Sequence, residues 1–508
     1  MPATTSTVPV ASSESSRSAD SEGLSETEKA PESSAGTTGL TARFRSTSWK
    51  ALLIHFLVLL VFMGVAAALV VTSVHRSPGL SPFDETTHID YVWRISHGEI
   101  PAKGGVLAPA LRGEAACHGM AIKIVTWPPC NLRVVPPASA FPAGGQDYNF
   151  GHPPLYYLIT GYLARLGAAI YGGSGHFITM ARLVGVGWLG GAMFVLYLAL
   201  RRFRVPLLVA IAGGLLLATS PSVIYASSTV TNDAAAPLCG AVALYFMAQA
   251  LVDRKVRPIP LFVAAALVTA TKVINALPFL AMGAMFAVMA VVAWRNEHRD
   301  KPNVEAERKP NLEAESRGAQ ARTYLMGVIA IGLGVLVVYK GWAIFQSGRG
   351  QADWINPIKG VSGRPISGLP FDEWGSTLFS GFPPTNEYFL PVVLNGKLMV
   401  LWMRAFILVT GAATLGLVFI FRRGDYRWQL GATLIGGLLA FPIIVQIQVF
   451  LDSRLYFPVV LARYGLSLVP WCVAAVAIIA AWRPFTRTFI VFTLAGLVLS
   501  LGTYAGFG

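Results

Sequence analysis

The chain has 508 residues, of which 54% are hydrophobic and 13% charged, and its formal net charge is +14. Soluble globular chains carry roughly 25% charged residues, so composition excludes an ordinary water-soluble fold for most of this sequence. A nucleic-acid binder is excluded too, because no basic groove interleaved with aromatics occurs.

Lys and Arg sit instead in short clusters directly after apolar runs. These are Arg201, Arg202 and Arg204; Arg254, Lys255 and Arg257; Arg295 to Arg322; Arg422, Arg423 and Arg427; and Arg483 and Arg487. Cytoplasmic loops of a multi-pass membrane protein are marked in this way.

Residues 1–48 are rich in Ser, Thr, Glu and Ala without apolar periodicity, which predicts a disordered cytoplasmic tail. The apolar run 51–74 is long enough to cross a hydrocarbon core of about 30 Å and follows Arg43, Arg45 and Lys50. It is expected to be an uncleaved first span that starts inside. From His75 to about Gly175 the chain leaves the bilayer. Seven Lys and Arg nearly balance six Asp and Glu there, and long loops escape the positive-inside count.

Later apolar runs lie at about 177–200, 206–224, 234–252, 258–271, 274–293, 324–345, 396–421, 428–450, 464–482 and 488–506. The expectation is an all-α polytopic bundle of about 11 transmembrane helices, spanning 49–508, with a large first extracytoplasmic loop at 75–175. Residues 294–323 read as a charged cytoplasmic loop and 346–395 as a second outer loop. Leu155 to Tyr171 is also apolar with a helical period. If it crossed, every later basic cluster would move outside, so it is expected to lie along the outer interface.

Cys117 and Cys130 fall in the first outer loop, an oxidising compartment on this topology, and are disulfide candidates. Cys239 and Cys472 fall within spans and read as packing residues. There is no metal-ligand cysteine spacing and no Gly-rich phosphate loop.

Immediately after the first span the chain reads Ser81-Pro82-Phe83-Asp84-Glu85-Thr86-Thr87-His88-Ile89-Asp90-Tyr91. Ser81 can cap a helix with Pro82 in its first position, which would set Asp84 and His88 on one face. One reading is a well-capped helix whose acids answer the macrodipole; the other is a general base at the membrane surface.

Four more features bear on that choice. His152, in the stretch Asn149-Phe150-Gly151-His152-Pro153-Pro154-Leu155-Tyr156-Tyr157, stands beside a helix start that suits an anion, or is an exposed loop His. Asn232 and Asp233 open the 234–252 span, as substrate ligands or simply as a cap. Lys272 lies between two apolar segments, where it must reach an anion or snorkel. Arg463 and Tyr464 stand at the outer mouth of a late span, where the Arg can pair with Asp452 or bind a phosphate. The second outer loop holds Trp354, Phe371, Trp374, Phe379, Phe382 and Tyr388, an interfacial belt or sugar-stacking platform, and a solvated Asp372-Glu373.

These motifs, taken together over about residues 50–480, resemble the GT-C superfamily of membrane glycosyltransferases. The similarity is to the bacterial branch related to protein O-mannosyltransferases and the lipid A aminoarabinose transferase. The acidic pair and the His-Pro-Pro stretch are its specific elements. The Thr86-Thr87 that separates the acids from His88 departs from the family pattern, and so does the lack of a large soluble C-terminal domain.

The resemblance implies a polyprenyl-phosphate sugar donor and transfer on the extracytoplasmic face of the plasma membrane. The acceptor would be an envelope glycan, lipid or protein. It further implies Asp84 as catalytic base, with Glu85 sharing that role or binding a metal or the acceptor. His88, His152, Asn232, Asp233, Lys272, Arg463 and Tyr464 would bind the donor phosphate or substrate. A divalent cation (Mg, Mn or Ca) is compatible with the paired acids. The rival expectation is a transporter or lipid flippase, which intramembrane charge also fits.

Overall fold

The computed structural model describes residues 49–121, 126–131, 133–299, 312–357, 364–368, 397–456 and 462–505. Nine helices among these residues are long and apolar enough to cross a membrane. They are Trp49–Arg76 (α1), Phe177–Arg202, Asn232–Leu251, Val273–Asn296, Gly318–Ser347, Lys397–Ile420, Tyr426–Leu451, Ala462–Ala480 and Arg483–Ala505.

The other two expected spans are helical but irregular. The 206–224 run breaks into Leu207–Ala218 and Pro221–Ser228, bent by 64°. Pro221 supplies the break, since it lacks an N–H and its ring clashes with the preceding turn. The Thr219 carbonyl beside the break accepts a hydrogen bond from the Trp402 indole at 2.9 Å. Pro258–Thr271 has only 14 residues, about 21 Å of helix against a hydrocarbon core of about 30 Å. The chain turns extended at Lys272 (φ −167°, ψ 133°), where this helix stops.

Burial ranks the spans. Over an apolar 18-residue stretch of each, 83% and 78% of the residues are buried in Ala462–Ala480 and Asn232–Leu251, against 28% in α1 and 17% in Gly318–Ser347. The two central spans touch backbone to backbone, because a Cβ on Gly240 would stand 1.8 Å from the Ser467 carbonyl oxygen. The Trp471 indole donates to the Gly240 carbonyl at 2.9 Å. At the periphery Leu52, Phe56, Leu57 and Leu60 of α1 are exposed, the surface expected of a helix facing lipid.

After α1 come α2 (Glu85–Ser96), α3 (Pro109–His118) and α4 (Leu155–Tyr171), with Cys117 and Cys130 joined by a disulfide. α4 seats on α2 at Gly161, where a Cβ would meet the Val92 carbonyl at 2.4 Å. It buries Tyr156, Tyr157, Thr160, Ala164 and Ala168 and exposes Leu158, Tyr162, Leu163, Leu166 and Ile170. A 17-residue helix with one face on protein and an apolar face left open suits the plane of an interface.

The end of Gly318–Ser347 clamps this segment. Trp342 donates to the Gly151 carbonyl at 3.0 Å, and Gln346 to those of Phe150 and Pro101 at 3.1 and 3.2 Å. Trp354 hydrogen-bonds Gln146 at 2.9 Å. Phe371, Asp372, Glu373, Trp374, Phe379, Phe382 and Tyr388 lie outside the described residues, as does the Asp452 side chain. A two-residue antiparallel pairing, Arg364–Pro365 with Leu455–Tyr456, is a small departure from the all-helical expectation.

Candidate active site

Asp84 is the N-cap of α2 and adopts a left-handed backbone, φ 64° and ψ 6°. Asp is among the few residues that tolerate this conformation. The expected Ser81 cap lies further back: its Oγ accepts from the Phe83 N–H at 3.1 Å and contacts the Tyr225 hydroxyl, closing a turn ahead of the helix. That turn lifts Asp84 out of the first helical turn and frees its side chain to face other segments.

Two distant segments meet it. Asp84 Oδ2 accepts from Arg463 Nη2 at 2.8 Å, and Oδ1 accepts from the Tyr148 hydroxyl at 2.9 Å. Asp233, at the start of a central span, accepts from Lys272 Nζ at 2.5 Å through Oδ1, and its Oδ2 lies 4.0 Å from Arg463 Nε. The Tyr464 ring lies 5.2 Å from the Lys272 ammonium and 5.5 Å from the Arg463 guanidinium. Burial alone would raise the Asp84 carboxyl. The charge and hydrogen bond of Arg463 outweigh that and hold it at about 2.

His88 and His152 form the wall of this cluster, their rings stacked at 6.0 Å. His88 Nδ1 lies 2.8 Å from the Tyr157 hydroxyl, which also accepts from Asn232 Nδ2 at 3.1 Å. Burial pushes His88 down to about 3, with Lys272 and Arg463 acting in the same direction. Desolvation, Lys272 and His88 hold His152 well below its ordinary value. Both imidazoles are therefore neutral at pH 7. Asn232 Oδ1 is buried without a hydrogen-bond partner among the described residues.

Asp84, His88, His152, Asn232, Asp233, Lys272, Arg463 and Tyr464 thus converge at one end of the bundle. The grouping differs from expectation in one respect: the two cations are not free to greet an anion. Each holds a carboxylate, so two positive charges face two negative ones.

Glu85 stands apart from this group. Its oxygens accept from Arg182 Nε and Nη2, both at 2.7 Å, and from the backbone N–H groups of Ser81 and Val230 at 2.6 and 2.9 Å. Arg182 also ties down the carbonyls of Ser77, Pro78 and Gly79. Both side chains of this pair are at most 1% exposed. A carboxylate so occupied acts as a strut between the end of α1, the start of α2 and the Phe177–Arg202 span. It has no lone pair to spare for a base or a metal.

Sequence reading missed Arg182, Tyr148 and Tyr157. Arg182 carried a usable signal, since a charge inside an apolar run needs a partner. Tyr157 closes the His-Pro-Pro stretch but was given no role of its own, and Tyr148 carried no signal. Among the described residues no group of three or more His, Cys, Asp or Glu is placed to hold a metal ion. No known family model matches the chain, and no characterised protein is significantly similar to it in sequence.

Proposed function

We propose that this chain is a membrane glycosyltransferase of the GT-C kind, moving a sugar from a polyprenyl-phosphate donor to a hydroxyl of an envelope acceptor on the extracytoplasmic side. One observation carries the reading. Asp84 at the start of α2 meets Asp233, Lys272 and Arg463 at the starts of three membrane-length helices, so that carboxylate and cation from four separate segments interleave. A lipid-anchored phosphate would present its charge at that depth.

The proposed chemistry follows from charge balance. Two cations paired with two carboxylates are neutral together, so an arriving phosphodiester competes for Arg463 and Lys272. As Arg463 turns to the phosphate, Asp84 loses its main stabilising partner and gains basicity. Asp84 then removes the proton of the acceptor hydroxyl. The acceptor oxygen bonds to the anomeric carbon, and the bond from that carbon to the phosphate oxygen breaks with its electron pair leaving on phosphate. Arg463 and Lys272 stabilise this charge in a site preorganised for it. Attack opposite the leaving phosphate gives inversion.

The test is lipid analysis of cells with and without the gene. The proposal expects one polyprenyl-phosphate sugar to accumulate in the deletion and its sugar to vanish from the envelope. An unchanged lipid-linked sugar profile together with altered solute uptake would favour the transporter reading.

A further inference from the structure

Asp84 also lines a small cavity, together with Thr86, Thr87, Asp90, Asp147 and Tyr148 among others. His152, Asp233, Lys272 and Arg463 do not line it, so Asp84 stands between a cationic side and this one. The cavity offers about 50 Å³ to the centre of a water molecule. One water needs roughly 10–15 Å³ of such space, so a few water-sized groups fit and a sugar ring does not.

Its polar wall is incomplete. Asp90 is satisfied, accepting from Arg94 at 2.6 Å and from the Ala108 N–H at 2.7 Å. Asp147 is 1% exposed and accepts from the Asn149 N–H at 2.8 Å through Oδ1, while Oδ2 has no partner among the described residues. An orphaned buried carboxyl oxygen carries a penalty that a ligand hydrogen bond would remove.

We infer that this cavity is the acceptor pocket. It takes one hydroxyl on a slender, unbranched arm (a primary alcohol) and holds it between Asp147 and Asp84. The inference rests on the transferase reading. Burial and the adjacent Asp90 push Asp147 well above the ordinary carboxyl range, so it favours the protonated form that donates. A hydroxyl that accepts from Asp147 is left with its own proton aimed at Asp84. Two carboxyls whose surroundings move them in opposite directions then divide the work of orienting and deprotonating.

The test uses the lipid-linked sugar fraction extracted from deletion cells, with radiolabelled sugar, and ethanol or tert-butanol as competing acceptor. Ethanol should be glycosylated and tert-butanol should not. Asp147→Leu should lower transfer at least about tenfold through the acceptor KM, leaving farnesyl phosphate binding in place. Asp147→Asn, whose amide can still donate, should recover most of that loss.

Equal use of both alcohols, or Asn as damaging as Leu, would overturn the pocket. If the wild type transfers nothing, the transferase reading fails by itself, and a second measurement still judges the cavity. The thiol of Thr86→Cys should react with methyl methanethiosulfonate several-fold more slowly in ethanol than in tert-butanol. Equal rates would rule the pocket out.

Discussion

The strut beneath the site allows the sharpest stability prediction. Glu85→Gln keeps the shape of the side chain but leaves the Arg182 guanidinium buried without a counter-charge. Breaking one side of a buried ion pair costs about 3–5 kcal/mol, and exposure of 1% or less on both partners places this pair at the upper part of that range. Arg182→Met should cost a similar amount, because Glu85 would then be the stranded charge. The double variant should lose less than the sum, with a coupling of about 2–3 kcal/mol. Thermal and denaturant unfolding of the purified chain in detergent measures all three. A Glu85→Gln variant within about 0.5 kcal/mol of wild type, the range of an ordinary surface change, would refute the assignment of Glu85 as a strut. Strict additivity would do the same.

Further outcomes follow from the same geometry. Arg463→Gln should cut transfer by about 100-fold or more, while the conservative Arg463→Lys should lose less; equal activity in all three forms would remove Arg463 from the chemistry. His88 faces Tyr157, His152, Asp84, Asp233, Lys272 and Arg463, and is held near 3 against about 6.5 when unfolded. Below pH 6.5 the unfolded chain binds the proton that the native chain refuses, so stability is lost as pH falls. From pH 6.5 to 5 the loss from this group is about 2 kcal/mol, and His88→Gln should remove it from the melting profile. Gly240→Ala should destabilise by about 1–3 kcal/mol or more, since its Cβ would lie 1.8 Å from the Ser467 carbonyl; a melting temperature equal to wild type would contradict that backbone contact.

The apolar runs foretold where helices lie, because a bilayer tolerates few alternatives to helix. They foretold less about shape. Pro221 bends one run, and Pro258–Thr271 is too short to read as an ordinary span. Both irregularities end near the site, and both were written in the sequence as a Pro within an apolar run and a Lys at the end of one. The residues of the site were legible as charged or polar groups at the margins of apolar runs. Their pairing was not. Nothing in the spacing says that Arg463 reaches Asp84 across 379 positions, or that Lys272 is spent on Asp233. The two adjacent acids looked alike in sequence, yet one helical step separates a side chain facing the cations from one locked to Arg182. Tertiary context alone distinguishes them.

The most direct test of the whole account is Asp84→Asn in liposomes containing the purified chain and the lipid-linked sugar fraction. The account predicts a fall in transfer of about 10²- to 10⁴-fold with folding and farnesyl phosphate binding retained. Transfer at the wild-type rate by that variant would contradict it.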